Sequence, residues 1–317
     1  MKLLIGAISI SKPKYAAIHE KAKEVFDEVI VNPFGRALTE EEILERWDGV
    51  DAIVAGTEKY TREMLEKAPS TLKVISKHGV GVDNIDLAAA KARGITVCNT
   101  PGANADAVAE ATMGLILCVL RKIPVSDQYV RTNNWKRLEG HLIKGQTIGV
   151  IGMGNIGKNV ILRAEPFGAK FMAYDPYFDS AFAQVHNVQQ ATIEEILKTA
   201  DIVSLHLPCT PETYHMINQE TLAMMKPGAA LINTARGELI DEEALYQALK
   251  CGRLGGAGLD VYSSEPMYNS PLFELDNIVV TPHMAGNTSE TTMSMGMWAL
   301  DNAMKVITGQ DGAVIVK

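Results

Sequence analysis

Short, nearly continuous apolar runs alternate along this chain with longer segments whose apolar positions recur every three or four residues. From Met1 to about Asn99 the short runs predict strands at Leu3–Ser9, Glu28–Val31, Asp51–Ala55, Lys73–Ser76 and Ile95–Cys98. The intervening segments read as helices. Thr39 with Glu42 forms a capping box, Thr61 and Asp86 stand as N-caps, and Gly94 stops a helix. From Gln146 to about Thr281 the same alternation predicts strands at Thr147–Ile151, Lys170–Tyr174, Ile202–Leu207, Ala229–Asn233, Gly256–Asp260 and Ile278–Thr281. Helices such as Thr192–Lys198 and Asp241–Lys250 lie between them. Unbroken apolar strands separated by helices belong to parallel sheets covered on both faces.

The remaining segments set the domain order. A helix is expected from Ala105 to Arg121, after a crossing at Thr100–Asn104. Residues 124–145 read as a polar arm carrying Trp135, either a subunit interface or a surface loop whose Trp covers the core. A last helix, Ser289–Thr308, puts Met293, Met297, Leu300, Met304 and Ile307 on one face, a packing stripe that returns the chain to its first domain. The expected fold is α/β, two doubly wound parallel-sheet domains: a Rossmann domain, residues 100–288, inserted into a flavodoxin-like substrate domain, residues 1–99 and 289–317. An active cleft between them is expected.

Within the second domain, the stretch Thr147-Ile-Gly-Val-Ile-Gly152-Met-Gly154-Asn155-Ile156-Gly157 reads as strand, tight turn and helix. Gly152 permits the turn, Gly154 leaves the backbone open to a pyrophosphate, and Gly157 lets the helix close on the sheet. The helix N-terminus adds free N–H groups and partial positive charge. The next predicted strand ends in Asp175, where a carboxylate accepts hydrogen bonds from a ribose. Pro176 and Tyr177 follow, with no nearby cation for a 2′-phosphate, so the expected cofactor is NAD.

Composition narrows the partners. A length of 317 residues suits two domains, and a net charge of −8 argues against nucleic acid and anionic membrane. The apolar stretch Ala103–Leu120 carries Asp106 and Glu110, which suits a buried helix rather than a membrane span. Leu3–Ile10 lacks a small-residue cleavage site and reads as a first strand, not a signal peptide. Cys98, Cys118, Cys209 and Cys251 are widely spaced, so no metal site or disulfide framework is expected and a reducing cytoplasm fits.

Three segments just past predicted strands carry candidate chemistry: Arg236 after Ile232-Asn-Thr-Ala235, Glu265 after Gly258-Leu-Asp260, and His283 before Met-Ala-Gly286. A guanidinium grips a carboxylate bidentately, an imidazole passes a proton near neutrality, and a carboxylate orients and charges that imidazole.

These motifs, with Lys77-His-Gly-Val-Gly81-Val-Asp-Asn-Ile-Asp86, Leu205-His-Leu-Pro208, Asn233-Thr-Ala-Arg236-Gly and Pro282-His283, resemble the D-isomer-specific 2-hydroxyacid dehydrogenase family along essentially the whole chain. Within the family the likeness is greatest to the catalytic portion of the phosphoglycerate dehydrogenases, without an added C-terminal regulatory domain. The resemblance implies an NAD-dependent oxidoreductase acting on a D-2-hydroxy or 2-oxo acid, with Arg236, Glu265 and His283 as catalytic trio. It implies cofactor contacts from Gly152, Gly154, Asn155, Ile156, Gly157, Asp175, His206, Ala235, Asp260, His283 and Gly286, with Asp260 on the nicotinamide carboxamide. Substrate contacts are implied from the Val80 and Gly81 amides, Lys77, His78 and Arg236, and a homodimer from the helix after Thr100. Lys77-His78 and Ala55 replace arginine positions common in phosphoglycerate enzymes, so phosphate capture would rest on Lys77, Lys59 or a partner residue. His78 is either a substrate contact or a satisfied loop residue, with the contact favoured. Two alternatives keep the fold: a glyoxylate or hydroxypyruvate reductase, and an NADH-sensing, corepressor-like binding protein.

The carboxylate of Asp175 is expected to disfavour a phosphorylated ribose. Turnover should therefore be far more efficient with NADH than with NADPH, and comparable kcat/KM for the two would remove Asp175 from cofactor selection.

Overall fold

The computed structural model describes residues Met1–Val316. They form two compact units, Met1–Asn104 together with the chain from Asn287 on, and Ala105–Gly286.

In the first unit strands and helices alternate: β1 (Lys2–Ile5), α1 (Ala16–Ala22), β2 (Glu28–Val31), α2 (Glu40–Leu44), β3 (Ala52–Ala55), α3 (Arg62–Glu66), β4 (Val74–Lys77), α4 (Leu87–Ala92) and β5 (Thr96–Cys98). The sheet is parallel in the order β2-β1-β3-β4-β5, the flavodoxin-like doubly wound arrangement. Side chains alternate between two cores. Leu3, Ile5, Val54 and Cys98 face one, while Leu4, Ile53, Ile75 and Val97 face the other. The capping box Thr39/Glu42 and the caps at Thr61 and Asp86 are present. β1 ends at Ile5, short of the expected Ser9, because the Gly6 and Ala7 amides both turn to Val54 O and a 3₁₀ turn, Ile8–Ile10, follows.

The second unit runs α5 (Ala105–Arg121), α6 (Ile123–Arg131), β6 (Thr147–Ile151), α7 (Asn155–Ala164), β7 (Lys170–Tyr174), α8 (Ser180–Val185), β8 (Val188–Gln190), α9 (Ile193–Thr199), β9 (Ile202–Leu205), α10 (Gln219–Met224), β10 (Ala230–Asn233), α11 (Glu242–Lys250), β11 (Gly256–Leu259) and β12 (Ile278–Val280). Its seven strands are parallel in the order β12-β11-β10-β9-β6-β7-β8, with the order reversing between β6 and β9. Ligands of such sheets bind outside the carboxyl ends at that reversal. Two elements depart from expectation. β8 is a three-residue edge strand with only Val188 buried, too short to show a period. α6 is a helix where a polar arm was expected. Pro124 in its first turn and the Asp127–Arg131 pair at 2.6 Å stabilise it, yet it buries no residue and so lacks an apolar stripe.

The last helix, α12 (Ser289–Thr308), belongs to the first unit. Ala299, Leu300 and Ala303 are buried against the core of β1 and β3, with Met293, Met297, Met304 and Ile307 beside them. Each fully buried aliphatic side chain of Leu size contributes about 1.5–3 kcal/mol. Buried Asn302 fixes the helix in register: its Nδ2 donates to Asn99 O at 3.0 Å, and its Oδ1 accepts from Val314 N at 3.0 Å. Thr100 likewise binds within the first unit, through Gly79 O, and the second unit begins after Asn104, at the end of the expected crossing segment. Among the described residues no helix is long and apolar enough to cross a membrane.

Candidate active site

β10, β11 and β12 are neighbours in one parallel sheet, so their following loops leave from the same edge. Each loop carries one of the three candidate side chains.

The loop after β10 is shaped by buried Asn233. Its Oδ1 accepts from Ala235 N at 3.0 Å and its Nδ2 donates to Arg236 O at 2.8 Å, closing the turn that presents Arg236. Thr234 is held to α5 through a 2.9 Å hydroxyl contact with Thr112. Arg236 donates from Nη1 to Ala235 O at 2.7 Å. Beyond it, a Cβ on Gly237 would stand 1.8 Å from the Tyr262 carbonyl carbon. The loops after β10 and β11 therefore touch backbone to backbone, and any side chain at 237 would force them apart.

The loop after β11 places Glu265. Its Oε1 accepts from Tyr262 N at 3.1 Å, and its Oε2 accepts from His283 Nδ1 at 2.6 Å. His283 adopts a left-handed backbone conformation, φ 49°, which costs a non-glycine residue about 1–2 kcal/mol. Asp260 holds it there. The His283 amide donates to Asp260 O, and the Asp260 carboxylate accepts from Thr281 Oγ1 at 2.6 Å, Met284 N at 2.8 Å and Ala285 N at 2.8 Å. A carboxylate offers about four acceptor positions, so Asp260 keeps little capacity beyond its own loop. The structure gives it a role that resemblance did not, that of building the His283 turn.

The electrostatics favour a charged couple. The hydrogen bond to Glu265 raises the His283 pKa above the ordinary imidazole value, against burial and against the Arg236 charge. Burial opposes ionisation of Glu265, but the His283 hydrogen bond and charge, the Tyr262 amide and the Arg236 charge bring its pKa below the ordinary carboxylate value. Arg236 thus acts electrostatically on both partners. Nδ1 of His283 is committed to Glu265, which leaves Nε2 as the nitrogen able to exchange a proton with a substrate.

The glycine turn fits a dinucleotide. Gly152 has φ +97°, and a Cβ there would stand 2.4 Å from His206 O. A Cβ on Gly157 would meet Gly152 O at 2.1 Å, whereas one on Gly154 would meet nothing within 4 Å. The backbone is therefore open at the position where a pyrophosphate approaches. α7 starts at Asn155 and Ile156 with Gly154 as an N-cap that carries no side chain, so its first amides are uncapped. Asp175 accepts from Met153 N and Tyr177 N, each at 2.8 Å, which leaves a lone pair on each oxygen for a ribose. His206 bonds Ser204 Oγ through Nε2 at 2.8 Å, while its buried Nδ1 has no partner among the described residues. Burial pushes its pKa down to about 3, so the ring is neutral. Ala235 is buried and Gly286 half-buried in the loops just described.

In the first unit's loop after β4, Lys77 and His78 both make hydrogen bonds within their own unit. Lys77 is buried, with its ammonium donating to Gly56 O and to Asn84 Oδ1 at 2.9 Å. His78 Nε2 stands 3.2 Å from Thr292 O and its Nδ1 3.3 Å from Ser9 Oγ. Both ring nitrogens have partners within the first unit, and burial lowers the ring's pKa. The carbonyls of Gly79 and Val80 are taken by Thr100 and Asn99. Among the described residues none accepts from the Val80 or Gly81 amides.

The sequence reading missed the supporting residues Asn233, Gly237 and Asn84. Gly237 had a visible signal, a glycine directly after the candidate arginine, where close backbone approach excludes a side chain. Among the described residues there is no cluster of three or more His, Cys, Asp or Glu able to hold a metal ion.

The sequence pattern described as D-isomer specific 2-hydroxyacid dehydrogenase, NAD binding domain, matches residues 113–285. The chain is 43% identical over 298 residues to the D-3-phosphoglycerate dehydrogenase of Methanocaldococcus jannaschii, covering 92% of this chain but 56% of that protein. It thus spans about half the length of that relative. It is 41% identical over 278 residues to the glyoxylate reductase of Thermococcus litoralis, covering 84% of each. The crystal structure of a glyoxylate reductase from Paecilomyes thermophila superposes with a TM-score of 0.88 at 30% identity, covering 100% of this chain and 98% of that one.

Replacing Glu265 by Gln removes the largest cause of the raised His283 pKa, while burial and Arg236 continue to lower it. The imidazole titration, followed by the pH dependence of its nitrogen chemical shifts, should move to lower pH. An unmoved midpoint would show that Glu265 does not hold the charge.

Proposed function

The chain belongs to the D-isomer-specific 2-hydroxyacid dehydrogenase family, and on that premise we propose that it transfers a hydride between NAD and C2 of a D-2-hydroxy acid or its 2-oxo acid. The observation that carries this reading is the 2.6 Å His283–Glu265 couple under the influence of Arg236, at the carboxyl edge of an NAD-binding domain. The Gly152–Gly157 turn with Asn155 and Ile156 would hold the pyrophosphate, and Asp175 the adenosine ribose. His206, Ala235, Asp260 and Gly286 would line the rest of the dinucleotide.

Bound NADH supplies the hydride, and NAD⁺ takes it back in the reverse direction. The protein handles the proton and the charge. Protonated His283 gives its Nε2 proton to the ketone oxygen, while Glu265 stabilises the imidazolium. Arg236 polarises that oxygen and grips the acid in a planar, bidentate geometry. The Val80 and Gly81 amides are assigned to the substrate carboxylate. In the reducing direction the required form is the imidazolium, so the rate should fall as pH rises through the raised His283 pKa.

Two substrate readings follow from the relatives, glyoxylate or hydroxypyruvate on one side and 3-phosphohydroxypyruvate on the other. The engagement of the Lys77 ammonium within its own unit supports the unphosphorylated acids. We further infer a homodimer and a cytoplasmic location. The dimer is supported by exposed apolar side chains on α6 and the following arm: Ile123, Val130, Leu142 and Trp135, the last 80% exposed and so not a core cover. The location is supported by the wide spacing of the four cysteines, which suggests no disulfide framework.

An NADH-oxidation screen over glyoxylate, hydroxypyruvate, 3-phosphohydroxypyruvate, pyruvate and bulkier 2-oxo acids should find turnover. His283→Gln should lower kcat by roughly 10² or more, the scale of a lost general acid. Turnover of no oxo acid, with NADH-dependent binding to a regulator, would replace the enzyme by a sensing protein. Unchanged turnover in the variant would remove His283 from the mechanism. Light scattering should give twice the chain mass, and a monomer at micromolar concentration would discard the dimer.

A further inference from the structure

The structure assigns Lys77 and Asn84 a positioning role: together they staple the loop after β4 to the loop after β3, fixing the Val80 and Gly81 amides for the substrate carboxylate. This rests on the proposed activity only for what those amides bind. The staple itself is a matter of hydrogen bonds within the first unit.

Gly56, the first residue after β3, is its centre. The Gly56 carbonyl accepts from Lys77 Nζ and from Asn84 Nδ2 at 3.1 Å. Asn84 also takes Lys77 Nζ at its Oδ1 and donates from Nδ2 to Glu58 O at 2.6 Å. Its backbone carbonyl accepts from Tyr60 N at 2.8 Å. Buried Glu58 completes the loop after β3 by accepting from Gly56 N at 2.8 Å and from the Tyr60 hydroxyl at 3.1 Å. The Lys77 stem passes under Gly79, where a Cβ would stand 3.2 Å from Lys77 Cε. Lys77 lies before the two amides in sequence and Asn84 after them, and both end on one carbonyl.

The opposite side of the loop is held separately. Thr100 binds the Gly79 carbonyl, Asn99 binds the Val80 carbonyl, and His78 ties the loop to Ser9 and Thr292. Between these anchors the Val80 and Gly81 amides keep no acceptor among the described residues. Two adjacent unpaired amides held rigidly are an anion site, and their value depends on orientation. Lys77 contributes by charge-assisted bonds to two neutral acceptors, and those bonds are independent of what the far end of the substrate carries. A positioning residue and a phosphate ligand therefore differ in a measurable way.

The experiment compares the unaltered protein with Lys77→Met, which removes ammonium and staple, and Asn84→Ala, which removes the staple and keeps the charge. Glyoxylate and 3-phosphohydroxypyruvate are reduced with NADH, and amide hydrogen exchange is followed at Tyr60, His78 and Ile85, whose amides bond across or beside the two loops, with β9 and β10 as an internal control of folding. Both variants should raise KM for both acids by a similar factor, about tenfold, with kcat within about threefold and the pH midpoint unmoved, as for lost ground-state positioning. Exchange at the hydrogen-bonded amides of Tyr60, His78 and Ile85, which tie the two loops, should quicken in both. Selective loss of the phosphorylated acid in Lys77→Met, with Asn84→Ala unaffected, would overturn the proposal and make Lys77 a phosphate ligand. Unchanged exchange in both variants would overturn it as well. Should the unaltered protein reduce neither acid, the activity reading falls by itself, and the exchange rates alone uphold or overturn the staple.

Discussion

Parallel pairing of β10, β11 and β12 is the constraint on which the second unit's chemistry depends. Parallel strands send every following loop to the same edge, and adjacent strands stand about 4.8 Å apart. Three consecutive loops can then present a guanidinium, a carboxylate and an imidazole to one place. Proximity at the strand ends does not fix side-chain geometry, and the loops supply that. Asn233 closes one turn, Gly237 brings it against the Tyr262 backbone, and Asp260 gathers Thr281, Met284 and Ala285 around His283. The left-handed conformation of His283 is unfavourable by itself and persists because these bonds, each worth about 1 kcal/mol net, outweigh it.

Three histidines show how far environment overrides residue type. His206 is neutral because it is buried without a counter-charge. His78 has its pKa lowered by burial and is consumed by Ser9 and Thr292. His283 has its pKa raised because a carboxylate meets its Nδ1. A reading of residue identities can nominate all three. Only the neighbours decide that one is held charged, one is held neutral and one is tied into its loop.

The legible parts of the chain were those governed by local rules. Apolar runs located the central strands, capping residues located helix starts, and the glycine run located the β6–α7 turn, because each depends on residues close in sequence. The trio's common edge was legible for a related reason: position after a strand implies an edge once the sheet is parallel. Three features were not. α6 buries nothing, so no apolar stripe announced it, and β8 is too short to show alternation. Lys77 is a cation beside a glycine-rich loop, which invites a phosphate. Two of its partners, Gly56 and Asn84, lie 21 residues before it and seven after it and become neighbours only through the sheet. Buried polar bonds of that kind connect distant segments, and no local pattern encodes them.

The place of α12 in the chain bears on synthesis. The apolar face formed by Leu3, Ile5, Val54 and Cys98 is covered by Ala299, Leu300 and Ala303, which leave the ribosome only after the whole second unit. A nascent chain that has already assembled the parallel sheet of its first unit must carry that greasy side open while nearly two hundred further residues are translated. The first unit therefore cannot be completed before the second has been synthesised, because its covering helix is encoded on the far side of that second unit.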